Sequence, residues 1–168
     1  MMQDYPKLLK DCSSVGVTRI PKEFCFSACK NDLKSAKAKA QSGLPAENAS
    51  SCEFDFYHLN AEVLKLAGAQ IEETSQKTKL AGIDFPTIPK IVLSPEFGVT
   101  LKEIRSKLRG KVSISAQSTL VLDGDIVLDN VEIDGSVLIF AEPSAQREVK
   151  DLKVTEKNYL KFEESEDQ

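Results

Sequence analysis

The chain has no tryptophan, a single histidine, and only 7% aromatic residues in total. A core must therefore be assembled from Leu, Ile and Val, and histidine-based acid–base or metal chemistry has almost no material to draw on. A basic surplus is missing as well: 22 lysines and arginines stand against 26 acids, a net charge of −4. A general nucleic-acid binder needs that surplus to neutralise phosphates, so this class is excluded. Long apolar runs are absent too. The longest, residues 137–141, falls far below the ~20 residues that span a bilayer. Residues 1–7 contain no apolar signal-peptide core, and the sequence predicts a soluble, cytoplasmic chain without membrane contact.

Cysteine is scarce and clustered, with Cys12, Cys25, Cys29 and Cys52 all in the first third. The Cys25–Cys29 spacing lacks the two-residue gap of zinc knuckles and thioredoxin-like motifs. Cys52 and His58 would have to complete any metal site, and free thiols in a reducing compartment are the better reading.

What is present fits one ordinary domain or two small ones: 168 residues, 29% charged and 41% apolar. Residues 15–20 alternate before Pro21 and read as a short strand or edge. Phe24, Cys25, Phe26 and Cys29 continue an apolar segment, expected as a strand with Lys30 emerging at its end. Between residues 30 and 40 lie four lysines and one aspartate, either a solvated face or a positive rim beside an anion site. Ser50 and Glu53 have capping-box spacing for a helix with Phe54, Tyr57, Ala61 and Leu64 on one face and Gly68 as its stop. His58 sits beside that face as a surface or packing residue. Residues 74–82 read as a polar connector, and Ile91 to Leu93 as a strand. Thr100 and Glu103 form a second capping box, for a short helix terminated at Gly110.

From Lys111 the pattern changes. Ile114, Leu120, Ile126, Ile133 and Ile139 recur at steps of six or seven, with Asp-Gly pairs at 123–124 and 134–135. This predicts a parallel β-helix in which these aliphatics stack inward, the alternative being an antiparallel sheet with Asp-Gly hairpins. Asp123, Asp125, Asp129 and Asp134 match the corners of such a coil, not a calcium loop.

An ordered set of segments carries a family resemblance. It comprises Met2-Gln-Asp-Tyr-Pro-Lys7, Cys29-Lys-Asn31, Ser51-Cys-Glu53 with Tyr57, and the stretch from Leu64 to Gly68. It continues through Pro89-Lys-Ile91, Ile104-Arg-Ser-Lys107, Ile114-Ser-Ala-Gln-Ser-Thr-Leu-Val121 and Val131-Glu-Ile-Asp-Gly135. In order and spacing the chain resembles the carboxy-terminal portion of the UDP-sugar pyrophosphorylases, the UTP–monosaccharide-1-phosphate uridylyltransferases. The resemblance implies an α/β fold class: residues 1–83 as the tail of a nucleotidyltransferase α/β domain, and 84–162 as a small parallel β-helix of left-handed type. Residues 163–168 are left as a frayed acidic tail.

The resemblance also implies transfer of uridylyl from UTP to a sugar 1-phosphate with release of pyrophosphate. Mg²⁺ would be the cofactor, its ligands and the glycine-rich nucleotide loop lying in a portion that precedes Met1. No such loop occurs among the eight glycines here, so the chain alone is expected to be inactive. By residue match, Lys30 is the catalytic and substrate-binding lysine placed against phosphate, with Asn31 beside it; the role of residues 3–7 stays open. The competing functions are a self-standing β-helical module that assembles through exposed rungs, and a hexapeptide-repeat acyltransferase. The latter needs a histidine near the rungs, and His58 lies well before them.

Overall fold

A computed structural model describes residues 2–11 and 15–155 of the chain. Cys12 and the acidic tail expected at 163–168 lie outside the described residues. The fold is mixed α/β with parallel sheets.

Two 3-10 turns, Met2–Leu8 and Lys22–Phe24, precede helix α1 (Leu33–Gln41) and helix α2 (Ala49–Ala67). The Asp32 carboxylate caps α1 by accepting from the Ser35 amide. α2 starts earlier than the Ser50–Glu53 spacing predicts: its cap is Asn48, whose side chain accepts from the Ser51 amide while Ser51 returns a bond to the Asn48 amide. Asn48 sits in the extended region that an N-cap requires, which lets the box form three residues before Ser51. Gly68, with φ 117°, ends the helix as expected. Ala61 and Leu64 of the predicted face are buried, and His58 stacks on Phe54 at the half-exposed edge.

Beyond α2 come β1 (Gln70–Ile71) and an antiparallel hairpin of β2 (Lys77–Leu80) and β3 (Ile83–Pro86), where the sequence suggests only a connector. β4 (Lys90–Leu93) leads into helix α3 (Leu101–Lys107), closed at its start by the Thr100–Glu103 box. α3 stops at Lys107 rather than at Gly110, because Leu108 already enters strand β5 (Leu108–Ile114). The remaining strands are β6 (Thr119–Asp123), β7 (Asp125–Ile133), β8 (Ser136–Phe140), β9 (Gln146–Lys150) and β10 (Lys153–Val154).

These strands fall alternately into two ladders. β4, β6 and β8 form one, while β1, β5, β7, β9 and β10 form the other, and every pairing within them is parallel. The antiparallel alternative with Asp-Gly hairpins is thereby overturned: both Asp-Gly pairs connect strands that belong to different ladders. The six-residue step also has a different meaning from that expected. From Ile114 to Leu120, Leu120 to Ile126 and Ile133 to Ile139 it measures the advance from one ladder to the other, while Ile126 and Ile133 share β7. Cross-strand partners between β5 and β7 and between β6 and β8 lie 17–20 residues apart. Ile114 pairs with Ile133, Leu120 with Val137 and Leu122 with Ile139, so Leu120 does not stack on Ile126.

The main core joins Ile91, Val112, Ile114, Leu120, Leu122, Ile126, Leu128, Val131 and Ile133 to Ala61, Leu64 and Ala67 of α2. Asn60 is buried with them and donates to the Ile91 carbonyl at 2.8 Å, tying α2 to β4. Ser118 is fully buried at a corner, where its hydroxyl bonds the Ile133 carbonyl and the Gly135 amide. Among the described residues, no helix is long and apolar enough to cross a membrane.

The corner at Gly124 yields a sharp expectation. Its φ is +113°, and an added Cβ would stand 2.5 Å from the Ala141 carbonyl oxygen and 2.8 Å from the Ala141 Cβ. Backbone strain and a fixed neighbour act together, so Gly124→Ala should cost about 1–3 kcal/mol. A shifted urea midpoint at unchanged m-value measures it; an unmoved midpoint contradicts the corner geometry.

Candidate functional site

Residues 26–31 run as an irregular segment across the amino-terminal end of α2. This corrects the expectation of a strand ending at Lys30. Phe24 closes a 3-10 turn, and the segment that follows takes its hydrogen bonds from the loop before α2 instead of from a β partner. Residues 15–20 likewise carry no strand.

The segment is held at three points. The Lys30 and Asn31 amides both donate to the Glu47 carbonyl, at 2.7 and 3.0 Å. The Asn31 side-chain amide donates to the Ala46 carbonyl at 2.8 Å. Earlier in the segment, the Ser27 hydroxyl donates to the Asp55 carboxylate at 2.6 Å. Ala28 is buried between these anchors. Lys30 therefore has a fixed backbone and an exposed side chain, whose ammonium rests 5.6 Å from the centre of the Phe26 ring.

Glu47 organises this corner, and the sequence reading missed it. It is a non-glycine residue with φ 51°, which turns its carbonyl toward both amides. Its carboxylate accepts from Lys39 at 2.9 Å. That hydrogen bond and the Lys39 charge, with smaller contributions from Lys30 and Lys22, hold the Glu47 carboxyl below the usual range. The signal in the sequence was slight: Pro45 and an N-cap asparagine flank a residue that any loop could contain.

A cleft of about 370 Å³ opens beside this corner, with Lys22, Ala28, Glu47, Phe54, Asp84 and Phe85 among its walls. Lys30 and Asn31 do not line it. Of the other lysines in the basic stretch, Lys34 is exposed, Lys37 is half-buried against Gly82, and Lys39 is engaged with Glu47. The solvated-helix reading thus holds for Lys34 and fails for Lys37 and Lys39.

Of the four aspartates expected at corners, Asp129 lies within strand β7 instead, and two others make structural contacts. Asp125 pairs with Lys107 at 2.7 Å, and Asp134 accepts from the Ser115 hydroxyl at 2.9 Å. Among the described residues, no three His, Cys, Asp or Glu side chains come together as a metal site.

No protein-family model matches the chain. Among curated proteins, it is 33% identical over 147 residues to a UDP-sugar pyrophosphorylase of Oryza sativa subsp. indica, covering 87% of this chain and 24% of that protein. A UDP-sugar pyrophosphorylase of Arabidopsis thaliana is 30% identical over 140 residues, 83% of this chain and 22% of the relative. The chain spans about a quarter of the length of these relatives, as a match to their carboxy-terminal portion would. Over that stretch the chain is similar in sequence to the UDP-sugar pyrophosphorylases.

Proposed function

We propose that this chain is the carboxy-terminal part of an enzyme that transfers uridylyl from UTP to a sugar 1-phosphate, releasing pyrophosphate. Lys30 is its phosphate-facing catalytic residue and Asn31 its neighbour in substrate binding. The observation that carries the reading is the rigid seat of Lys30: a backbone bound at 2.7 Å, an exposed side chain whose ammonium rests over the Phe26 ring, and similarity of the surrounding sequence to UDP-sugar pyrophosphorylases.

The chemistry asks for little more from this portion. An oxygen of the sugar phosphate displaces pyrophosphate at the α-phosphorus of UTP, while negative charge grows on the oxygens around it. A lysine ammonium held near those oxygens lowers the barrier as a preorganised point charge. The anchored Asn31 fixes the direction in which the chain leaves Lys30 toward α1. Mg²⁺ belongs to this reading as a cofactor of the complete enzyme. The described residues offer no donor set that fits it, so its ligands are assigned outside them and no step is routed through it here.

The fold enters the same proposal. Residues 1–83 are read as the tail of the nucleotidyltransferase domain, with α2 as the joint, and residues 84–162 as a β-helical domain of left-handed type. The alternation of two parallel ladders from β4 to β9 supports that second domain. Assembly through the rungs is a second reading with an observation of its own. Leu138 and Phe140 are exposed on β8, an end strand of its ladder among the described residues.

Pyrophosphate release, measured with UTP, Mg²⁺ and a panel of sugar 1-phosphates, tests the proposal. The full-length protein should turn over, and the 168-residue chain alone should not. Turnover by the chain alone would place the nucleotide loop within it, and silence of the full-length protein with every sugar phosphate would end the reading.

A further inference from the structure

The anchors of the Lys30 segment place two thiols together. Ser27 is bonded to Asp55, and Lys30 to Glu47, so the segment runs alongside the start of α2 in the opposite direction. Asn48, Cys52 and Asp55, spaced by four and three residues, share one face of that helix. Cys29 lies between the two anchors on the segment, and Cys52 lies between them on the helix. Loss of solvent, and after it the neighbouring Cys52 thiol, raise the Cys29 thiol above its ordinary value. Cys25, by contrast, directs its thiol to the carbonyls of Pro21 and Lys22 at 3.4 and 3.6 Å. Cys25, Cys29 and Cys52 are all unbridged.

We propose that Cys29 and Cys52 form a redox-sensitive pair, which a low-molecular-weight disulfide such as oxidised glutathione converts to an intramolecular disulfide. The bond fastens the segment carrying Lys30 to the first turn of α2. One of the pair, as thiolate, attacks a glutathione sulfur; the glutathione S–S bond breaks and one glutathione thiolate leaves with the electron pair. The second thiol of the pair loses its proton to solvent and attacks the mixed disulfide at the protein sulfur, expelling the second glutathione thiolate. Two protein thiols are oxidised and one glutathione disulfide is reduced to two thiols. The Ser27–Asp55 and Lys30–Glu47 bonds on either side hold the segment against the start of α2, which keeps the two thiols close. A thiolate is required at each step, so the raised Cys29 value makes closure faster at alkaline than at neutral pH.

The test is covalent and needs no substrate, so its failure is separable from failure of the Lys30 proposal. The whole chain is treated with oxidised glutathione, quenched with an alkylating agent and mapped by mass spectrometry without reduction. The expected result is a peptide linking Cys29 to Cys52, a fall from four alkylatable thiols to two, and full reversal by dithiothreitol. Cys25→Ser should form the same link. Cys29→Ser and Cys52→Ser should each form none, leaving the remaining partner as a glutathione adduct. Unlinked adducts on both residues in the unsubstituted chain, no reaction at either, or a link that includes Cys12 or Cys25 would overturn the pair.

Discussion

Replacing Ile126 with aspartate should unfold the carboxy-terminal half of the molecule at denaturant concentrations the parent chain withstands. Ile126 is fully buried in β7, within the cluster that joins Leu120, Leu122 and Leu128 to α2. The residues of that cluster are apolar, so a carboxylate introduced there loses its water without gaining a hydrogen-bond donor from them. Uncompensated buried charges cost about 3–5 kcal/mol, a large share of the stability of a chain this size. Leu138→Asp is the paired control, because Leu138 is 66% exposed on β8 and an exposed substitution costs at most about 0.5 kcal/mol.

The effect also has a pH signature. A buried carboxyl has a folded value raised above its unfolded value, so the penalty is absent below the unfolded value near 4 and grows as pH rises through it. Urea unfolding of Ile126→Asp should therefore approach the parent curve in acid and diverge toward neutrality. Equal losses for Ile126→Asp and Leu138→Asp would mean that the inward and outward faces have been assigned wrongly.

The alternation that identifies Ile126 as inward was legible in the sequence because a strand's side chains alternate regardless of which strand lies beside it. Leu120, Leu122, Ile126 and Leu128 are all buried on that account. Their vertical neighbours were not legible. Whether Leu122 meets Ile139 or some other aliphatic depends on the length of a complete turn, which corners and loops set jointly. Local signals fared similarly at the helix ends. Thr100 and Glu103 announced α3 because both halves of the box are strong cap formers. For α2, Ser50–Glu53 offered a plausible box close to the real one, and the better cap Asn48 prevailed. The β2–β3 hairpin escaped because Lys77 to Leu80 is polar and lacks alternation, and its turn relies on Ala81 and Gly82 at positive φ.

At the candidate site, Lys30 and Asn31 were legible only through the family resemblance. Nothing in the local sequence gives the Glu47 carbonyl that holds both amides, since that contact spans sixteen or more residues and a backbone turn at positive φ. The strand expected before Lys30 failed for a related reason: apolar content in residues 24–29 fixes neither burial nor a strand partner, and of these residues only Ala28 is buried while Phe24 and Phe26 are exposed.

On the proposed role, Lys30→Ala in the full-length protein should lower kcat about a hundredfold, the usual loss of ~3 kcal/mol when one preorganised charge leaves a site of developing negative charge. In that role the ammonium would gain most when charge accumulates on the transferring phosphate, so kcat should fall further than KM rises. Folding should be untouched, because the anchoring groups of residue 30 are its backbone atoms and its side chain is exposed. Lys34 is the proper control, being exposed on α1, whereas Lys37 packs on Gly82 and Lys39 holds Glu47.

The most direct measurement is kcat and KM for uridylyl transfer by the full-length protein, compared with Lys30→Ala and Lys34→Ala under saturating UTP. The phosphate-facing role of Lys30 predicts a roughly hundredfold loss of kcat in the first variant and near-parental kinetics in the second. Near-parental kcat in Lys30→Ala, or equal losses in both, would contradict it and leave only a diffuse basic rim.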